Sequence, residues 1–416
     1  MHNVTTDFIA AMRDTGRRFD AQIIVGDTVY DLSAIESLTV NIDGGFPSTA
    51  MQSITATIRG DFSAPDGVID DVKIGVETDN GFEYINYGKF FLSNDDGTGY
   101  NTDTDMWTVT AYDALVNTMT EIPTIEDEDG NETTNDAVDA EKTISVQELL
   151  NGAIQILNSV GVTSTLPDMT TYTVIASAYS GQTYRDLLED IAEVLCGIIR
   201  VKDNKLILIR PGEVESTKIE LQDLTSASIN DSVQISGVQL NGTAGAQKIL
   251  NNEASTDVQV TISDNPIVEY LVDNSSTAAE QLNAVKSNYT AYLLGKTLTS
   301  VTANTTGVAL YDIGDFVNIT NKKDNLDYPF IYTKSAITLS NGLTQSVESS
   351  LTSKTEDITY TADSKLKGVT SEINRLSSGL QLKVSKGDVV SEINQSPEKI
   401  SLKANRIEID SDTFKL

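Results

Sequence analysis

Few side chains in this sequence are suited to catalysis. The 416 residues include one histidine, His2, and one cysteine, Cys196. A Ser-His-Asp or Cys-His hydrolase needs an imidazole held beside its nucleophile, and a zinc hydrolase needs histidine ligands in the plural. We predict that His2 lies at a frayed N-terminus. The sequence therefore excludes these classes of enzyme.

Cys196 lies inside an apolar helical pattern, which predicts a buried, reduced thiol rather than a reactive one. A single cysteine also excludes an intrachain disulfide framework. The sequence contains neither Gly-x-x-x-x-Gly-Lys-Ser/Thr nor Gly-x-Gly-x-x-Gly between a strand and a helix. We therefore expect no cofactor.

Carboxylates are abundant, with 61 Asp and Glu residues. Some pair among so many will lie at the separation that a glycosidase uses, so a carboxylate-dependent glycoside hydrolase stays open. The acidic segment 126–132 fails as an EF-hand loop. With Gly130 at the sixth position, Ile125 would stand first, where a carboxylate is required. We expect no metal site and interpret residues 123–139 as an acidic loop.

The charge balance argues against a nucleic-acid-binding protein. Twenty-nine Lys and Arg residues face 61 acidic ones, which gives a net charge of −32 at pH 7. The basic clusters, Arg13 with 17–18 and 322–323, are too short to form a phosphate-binding stripe, so no tight nucleic-acid binding is expected. No signal peptide is visible, and no apolar run approaches the roughly 20 residues of a membrane span.

Hydrophobic patterns divide the chain into several domains, as its length suggests. A short amphipathic helix at Val4, Phe8 and Met12 precedes alternating patterns typical of antiparallel strands. We predict those strands at 19–25, 28–32, 37–42, 51–59, 68–77, 83–92 and 107–111. Residues 1–122 thus form an N-terminal β-barrel-like domain.

A different periodicity follows the acidic loop. Helices are predicted at 146–160 and 183–196, and a hairpin at 198–209, so residues 140–222 form a small α+β domain. Residues 223–358 form a second barrel-like β domain, with strands near 233–240, 258–262, 316–319, 330–339 and 344–351 and one helix near 278–294. The expected fold class is mainly β with an α+β insertion and a C-terminal coiled-coil/β stalk.

The stalk is predicted from a repeat in residues 359–416. Ser-Glu-Ile-Asn at 371–374 recurs 20 residues later, and apolar residues upstream of the second copy follow an a/d spacing. A narrow apolar seam of this kind packs against copies of itself. The predicted trimer interface consists of Leu366, Val369, Ile373, Leu376, Leu380, Val389, Ile393 and Ile400. The alternative is a short helix and hairpin folded back on the body.

Three motifs resemble phage tail hub proteins, the tail-associated proteins that are similar to the baseplate hub of contractile tails. The sharpest match is Ala-Tyr-Asp-Ala-Leu at 111–115, after Gly-Lys-Phe-Phe-Leu at 88–92. The segments 183–197 and 311–317 resemble the helix-hairpin insertion and the Gly-Asp strand start of that family, in which the acid faces solvent. The order of these motifs carries more weight than any one of them.

The resemblance implies a non-enzymatic virion structural protein at the tail tip of a phage or prophage. Its relatives are homotrimers whose two barrel-like domains per subunit form a pseudo-sixfold ring. The expected partners are a hexameric distal tail or tail-tube protein and a central fibre, spike or receptor-binding protein, and the expected roles are host attachment and a channel for genome ejection. A host-surface adhesin and the wall-hydrolysing enzyme remain the alternatives.

Overall fold

A computed structural model describes residues 2–14, 16–92, 98–123, 142–179, 181–210, 217–220, 224–251, 258–306, 310–321 and 326–349. The eight predicted stalk residues, from Leu366 to Ile400, lie outside the described residues, as does nearly all of the acidic loop. The helices and strands below belong to the described part.

Strands dominate, and short helices interrupt them. The helices are α1 Thr6–Arg13, α2 Val146–Ser159, α3 Tyr184–Leu195, α4 Pro266–Asp273 and α5 Ala279–Tyr292. The first strands are β1 Phe19–Val25, β2 Thr28–Tyr30, β3 Ile35–Gly44, β4 Ser48–Arg59, β5 Val68–Thr78, β6 Gly81–Leu92, β7 Gly99–Asn101 and β8 Met106–Tyr112. The middle of the chain contains β9 Thr143–Ser145, β10 Thr163–Ser164, β11 Thr173–Ile175, β12 Ile198–Lys202, β13 Lys205–Ile209 and β14 Thr217–Glu220.

The remaining strands are β15 Leu224–Gln234, β16 Gly237–Asn241, β17 Ala246–Leu250, β18 Val260–Ile262, β19 Thr297–Thr305, β20 Phe316–Asn321, β21 Leu326–Ile331, β22 Lys334–Leu339 and β23 Leu343–Ser349. Two 3-10 turns, Ala114–Met119 and Ala176–Tyr179, complete the described elements.

One sheet unites the two halves of the chain. Its main path runs β15-β19-β23-β22-β3-β4-β8-β6-β5-β1-β2, from the C-terminal half into the N-terminal half. The mainly β fold is as predicted, but the two barrel-like domains are not found, because these strands form no closed barrel. The outer edge of β3 is occupied by β22 from the other half, so that edge is not available to close the first set of strands on itself.

The N-terminal elements agree with the prediction to within a few residues. Helix α1 begins after Thr5, whose hydroxyl accepts a hydrogen bond from the Phe8 amide, and it buries Phe8 and Met12. Strand β4 alternates between buried and more exposed side chains, as its sequence pattern indicates. These alternations are regular because one face of the sheet packs on an apolar core.

The α+β region is organised around α3. Thr183 and Asp186 form a capping box at its start, and the helix ends at Cys196, which adopts the left-handed conformation. The predicted hairpin follows, and its two turn residues, Asp203 and Asn204, have φ angles of 50° and 56°. Strand β12 of this hairpin pairs in parallel with β4, so the α+β region is attached directly to the N-terminal sheet.

In the second half, two predicted strands are wrong in detail and one helix is missing from the prediction. The strand expected at 330–339 is two strands, because the Tyr332 amide bonds to the Asp315 carbonyl and β21 and β22 join different sheets. The strand expected at 233–240 is likewise divided, between β15 and β16. Helix α4 was not predicted, although Asn265 caps it and Pro266 occupies its first turn.

Candidate assembly interface

The two halves of the chain meet at a seam between β3 and β22. These strands are antiparallel, with five residue pairs from Ser335–Ile42 to Leu339–Leu38. At its centre Ile337 lies opposite Val40, and both side chains are fully buried. The seam is thus built like the interior of a sheet rather than like a loose contact between domains.

The strands on either side of the seam follow one order. In the N-terminal half, β3, β4, β8 and β7 are neighbours, and each adjacent pair is antiparallel. In the C-terminal half, β15, β19, β23 and β22 repeat this order with the same directions. A hairpin separates the second strand from the last two in each half, β5–β6 in one and β20–β21 in the other. The chain therefore contains two copies of one four-stranded unit, which we call the N unit and the C unit.

The two units share an irregularity. Glu36 in β3 and Thr225 in β15 are skipped in the register with the neighbouring strand. The pairs that precede these bulges are Ile35–Ile58 and Leu224–Thr305. Because a bulge fixes local twist and register, its recurrence at the same step supports an alignment of the units residue by residue. Strand β15 has a second shift, between Ile229 and Ser232, that β3 lacks.

A buried cluster of charges lies between the α+β hairpin and the C-terminal half. The Asp312 carboxylate contacts the Arg200 guanidinium through one oxygen and the Lys202 ammonium through the other. Asp312 and Arg200 are almost inaccessible to solvent. Although burial opposes ionisation, the two cations hold the pKa of Asp312 well below its usual value.

The N-terminus joins this cluster, which corrects the prediction that His2 is frayed. The His2 amide donates to the Leu310 carbonyl at 3.1 Å, and its ring lies edge-on to Tyr87, with centroids 5.7 Å apart. Burial lowers the pKa of His2 to about 4, with Asp312 acting in the opposite direction. His2 is therefore an anchor for the first residues of the chain.

The strand start that resembles the family's Gly-Asp motif is also buried. We expected its acid to face solvent, but Asp315 is 1% exposed. Its carboxylate accepts a hydrogen bond from the Asp312 amide at 2.9 Å, and burial raises its pKa. Gly314, with a φ of 85°, forms the turn between the two acids, and a Cβ there would lie 2.4 Å from Ile209. The motif thus fastens β20 to the charged cluster.

The Ala-Tyr-Asp-Ala-Leu motif has a comparable structural role. Asp113 follows β8 directly, and its carboxylate accepts hydrogen bonds from the amides of Gln52, at 2.7 Å, and Leu115, at 2.9 Å. Burial raises its pKa to about 6, although both amide bonds act to lower it. The acid therefore ties the end of β8 to β4 and starts the following 3-10 turn.

No family model matches the chain, and no curated protein is similar to it. Several solved structures, in contrast, are similar to the chain. Prophage tail protein gp18 from Listeria monocytogenes EGD-e is similar over 85% of this chain and 99% of its own, at 11% identity and a TM-score of 0.46. A tail protein from Neisseria meningitidis MC58 covers 79% of this chain and 95% of its own, at 13% identity and a TM-score of 0.43.

The 43 kDa tail protein of prophage MuSo2 from Shewanella oneidensis covers 79% of this chain and 97% of its own, at 10% identity and a TM-score of 0.42. All three of these structures are tail proteins.

The described residues contain no group of three His, Cys, Asp or Glu side chains that could hold a metal ion. Cys196 is buried, as predicted, and burial raises the pKa of its thiol. No described helix is both long and apolar enough to cross a bilayer. The repeated units, the seam between them and their outer strand edges are the candidate functional features of the chain.

Proposed function

We propose that this chain is a structural tail-tip or baseplate hub protein. Three copies close the end of a tail tube, connect it to a central fibre or spike, and leave a channel through which DNA passes. The protein acts through its surfaces rather than as an enzyme. Its place is the tail tip of a virion, beside a hexameric distal tail or tail-tube protein.

The observation that carries the proposal is the duplication of the four-stranded unit, with its shared bulges at Glu36 and Thr225. A trimer of chains with two equivalent units each presents six units around its axis. Such a ring can face a hexameric tube on one side and a threefold fibre on the other. The sequence motifs at 111–115 and 311–317 support the same function.

The charge of the chain suits a channel for DNA. Carboxylates on the wall of the channel repel the phosphate backbone over distances near the Debye length, about 8 Å at physiological salt. With a net charge of −32 per chain, the ring resists adhesion of the passing DNA. In this proposal the acidity keeps the DNA moving.

The first test is the native mass of the intact chain by light scattering, against a subunit mass of 44.9 kDa. A threefold mass, with six lobes in class averages from electron microscopy, supports the hub. Any closed ring with a number of copies other than three contradicts it. Hydrolysis of purified cell walls by the chain would favour the enzyme alternative.

The stalk is tested separately with Ile373→Asp in the full chain. We propose that the stalk residues listed from the sequence form the trimer seam, so a carboxylate there would be buried without a partner. The variant is expected to lose part of its trimer stability. An unchanged mass and melting temperature would remove the stalk from the interface.

A further inference from the structure

We propose that copies of this chain join edge to edge, with β7 of one copy pairing antiparallel to β15 of the next. The pairing repeats between chains the seam that β22 and β3 form within one chain. This inference rests on the proposed ring, because it names the strands that would close it. The partner is a second copy of the same chain.

The two edges are unpaired in the part of the chain that the structure describes. Across the described part of the chain, β15 pairs only with β19 and β7 only with β8, so each keeps one free edge. Residues 225–228 of β15 and all of β7 are exposed. Native proteins shield free edges with charged side chains, proline, bulges or covering elements. Strand β15, Leu224–Gln234, contains two bulges and Asp231 but no Lys, Arg or Pro. An edge of this kind suits a strand from a partner.

The free edges are the counterparts of the two strands in the internal seam. The first strand of the N unit is β3, which the seam uses, and the first strand of the C unit is β15, which it does not. Likewise, the last strand of the C unit is β22, which lies in the seam, whereas the last strand of the N unit is β7, which does not. A further copy can therefore make the same contact at either end.

The shared bulge transfers the register of the seam to β15. When Glu36 is aligned with Thr225, Val40 corresponds to Ile229 and Thr39 corresponds to Ser228. Ile229 is only partly buried, because none of the described strands covers its outer side. Its counterpart Val40 is fully buried, because β22 covers it.

The register of β7 follows from its neighbours. Tyr100 lies opposite Trp107, which pairs with Ile58. In the C unit the corresponding positions are Ile337, Gln345 and Thr305. Tyr100 therefore takes the place of Ile337, and Asn101 takes the place of Thr338.

Combining the two alignments gives a defined contact between copies. Tyr100, 46% exposed and one of the few large hydrophobic side chains at the surface of the described residues, comes to lie opposite Ile229. An aromatic ring opposite a β-branched side chain is a favourable cross-strand pair. On the other face, Asn101 meets Ser228, where the internal seam has the polar pair Thr39 and Thr338.

This contact is heterologous, since two different edges meet. Heterologous contacts propagate from copy to copy and produce a ring when the rotation closes. Until the ring closes, an assembly of any number of copies keeps one free β7 edge and one free β15 edge. The internal seam supplies the template for the angle, because it already joins one unit to the next.

Disulfide trapping tests the register. Asn101→Cys and Ser228→Cys are made as separate full-length variants with distinguishable tags, mixed, and exposed to a mild oxidant. Facing residues of antiparallel strands lie within reach of a disulfide, about 4.5–5.5 Å between Cα atoms. The expected product is the mixed dimer. The native Cys196 is buried and contributes no background. In the control, Thr225→Cys takes the place of Ser228→Cys, so that the two cysteines are out of register.

Each outcome decides something. A mixed dimer in excess of both homodimers supports the inference, whereas homodimers alone overturn it, because they indicate contact between identical edges. If the wild-type chain is trimeric and no mixed dimer forms, the edge contact is wrong while the proposed hub survives. A wild-type chain that stays at 44.9 kDa at the highest attainable concentration overturns both.

A second measurement uses charge on the edge. Tyr100→Lys should weaken self-association about tenfold or more in sedimentation experiments, since lysine on an edge strand opposes pairing. Phe82→Lys is the matched control, because Phe82 is similarly exposed, at 39%, on β6 away from the proposed contact. Equal association of the two variants would overturn the inference. Unchanged melting of the dissociated chain shows that the substitution leaves the fold intact.

Discussion

The hydroxyl groups of Thr39 and Thr338 lie 3.0 Å apart, although 299 positions separate the two residues in the sequence. They face each other across the seam between β3 and β22, beside the buried pair of Val40 and Ile337. The N-terminal and C-terminal halves therefore share one sheet. Damage to the seam should weaken both halves together.

Ile337→Asp is expected to lower the free energy of unfolding by about 4 kcal/mol or more. The substitution removes a buried aliphatic side chain and places a carboxylate in an apolar site. Urea denaturation followed by circular dichroism measures the change. Thr344→Asp, at an exposed position of the adjoining strand β23, serves as the control and should change stability by less than about 0.5 kcal/mol. Similar effects of the two variants would contradict the role of the seam.

Asp312→Asn is expected to destabilise the fold by about 3–5 kcal/mol, the usual cost of leaving buried charges without a counterion. The substitution leaves Arg200 and Lys202 facing a neutral amide in place of the carboxylate. Chemical denaturation at pH 7 measures the loss. Glu148→Gln, on the exposed first turn of α2, is the matched loss of one negative charge. Equal stabilities of the two variants would show that the cluster contributes little.

His2 is expected to make the protein sensitive to acid. The unfolded chain takes up a proton at His2 below about pH 6.5, whereas the folded chain does so only near the lowered pKa of about 4. The contribution of His2 is therefore complete above pH 6.5 and is lost as the pH falls toward 4, by up to about 3 kcal/mol.

The comparison is between wild type and His2→Phe, which keeps an aromatic ring beside Tyr87 but cannot be protonated. The drop in melting temperature between pH 7 and pH 4.5 should be smaller in the variant than in the wild type. Because the carboxylates titrate in both proteins, only the difference between them reports on His2. Parallel pH profiles would mean that His2 is not buried in solution.

Cys196 is expected to be unreactive in the folded protein. Its side chain is fully buried at the end of α3, and burial raises the pKa of the thiol, so little thiolate is available. A colorimetric thiol reagent should report about one thiol per chain in denaturant and almost none before unfolding. Rapid reaction under native conditions would contradict the packing of α3.

Where local pattern and long-range packing agree, the sequence predicts this fold well. Strand β1 is predicted at its observed bounds, because its apolar residues alternate regularly. Strand β15 was largely missed, since Thr225 and Ser226 belong to an edge whose side chains have little to bury. An edge strand with few side chains to bury carries a weak sequence signal.

The candidate site was harder to predict because its parts are distant in sequence. Asp312 precedes the Gly-Asp strand start, and its partner Arg200 lies 112 residues earlier in the sequence. His2 was expected to fray, and the carbonyl that holds it belongs to Leu310. The histidine content excludes several classes of enzyme, and the charge argues against nucleic-acid binding. Which charges are buried, however, depends on long-range contacts that no local sequence pattern encodes.

The bulges at Glu36 and Thr225 have a consequence for ancestry. The Glu36 carboxylate bonds to Arg59 and the Thr225 hydroxyl bonds to the Asn304 carbonyl, so the two skipped side chains have different partners, yet the irregularity stands at the same step in both units. Two strands that arose separately would have little reason to share it. A shared strand order together with a shared backbone irregularity is what the internal duplication of one module would leave in the chain.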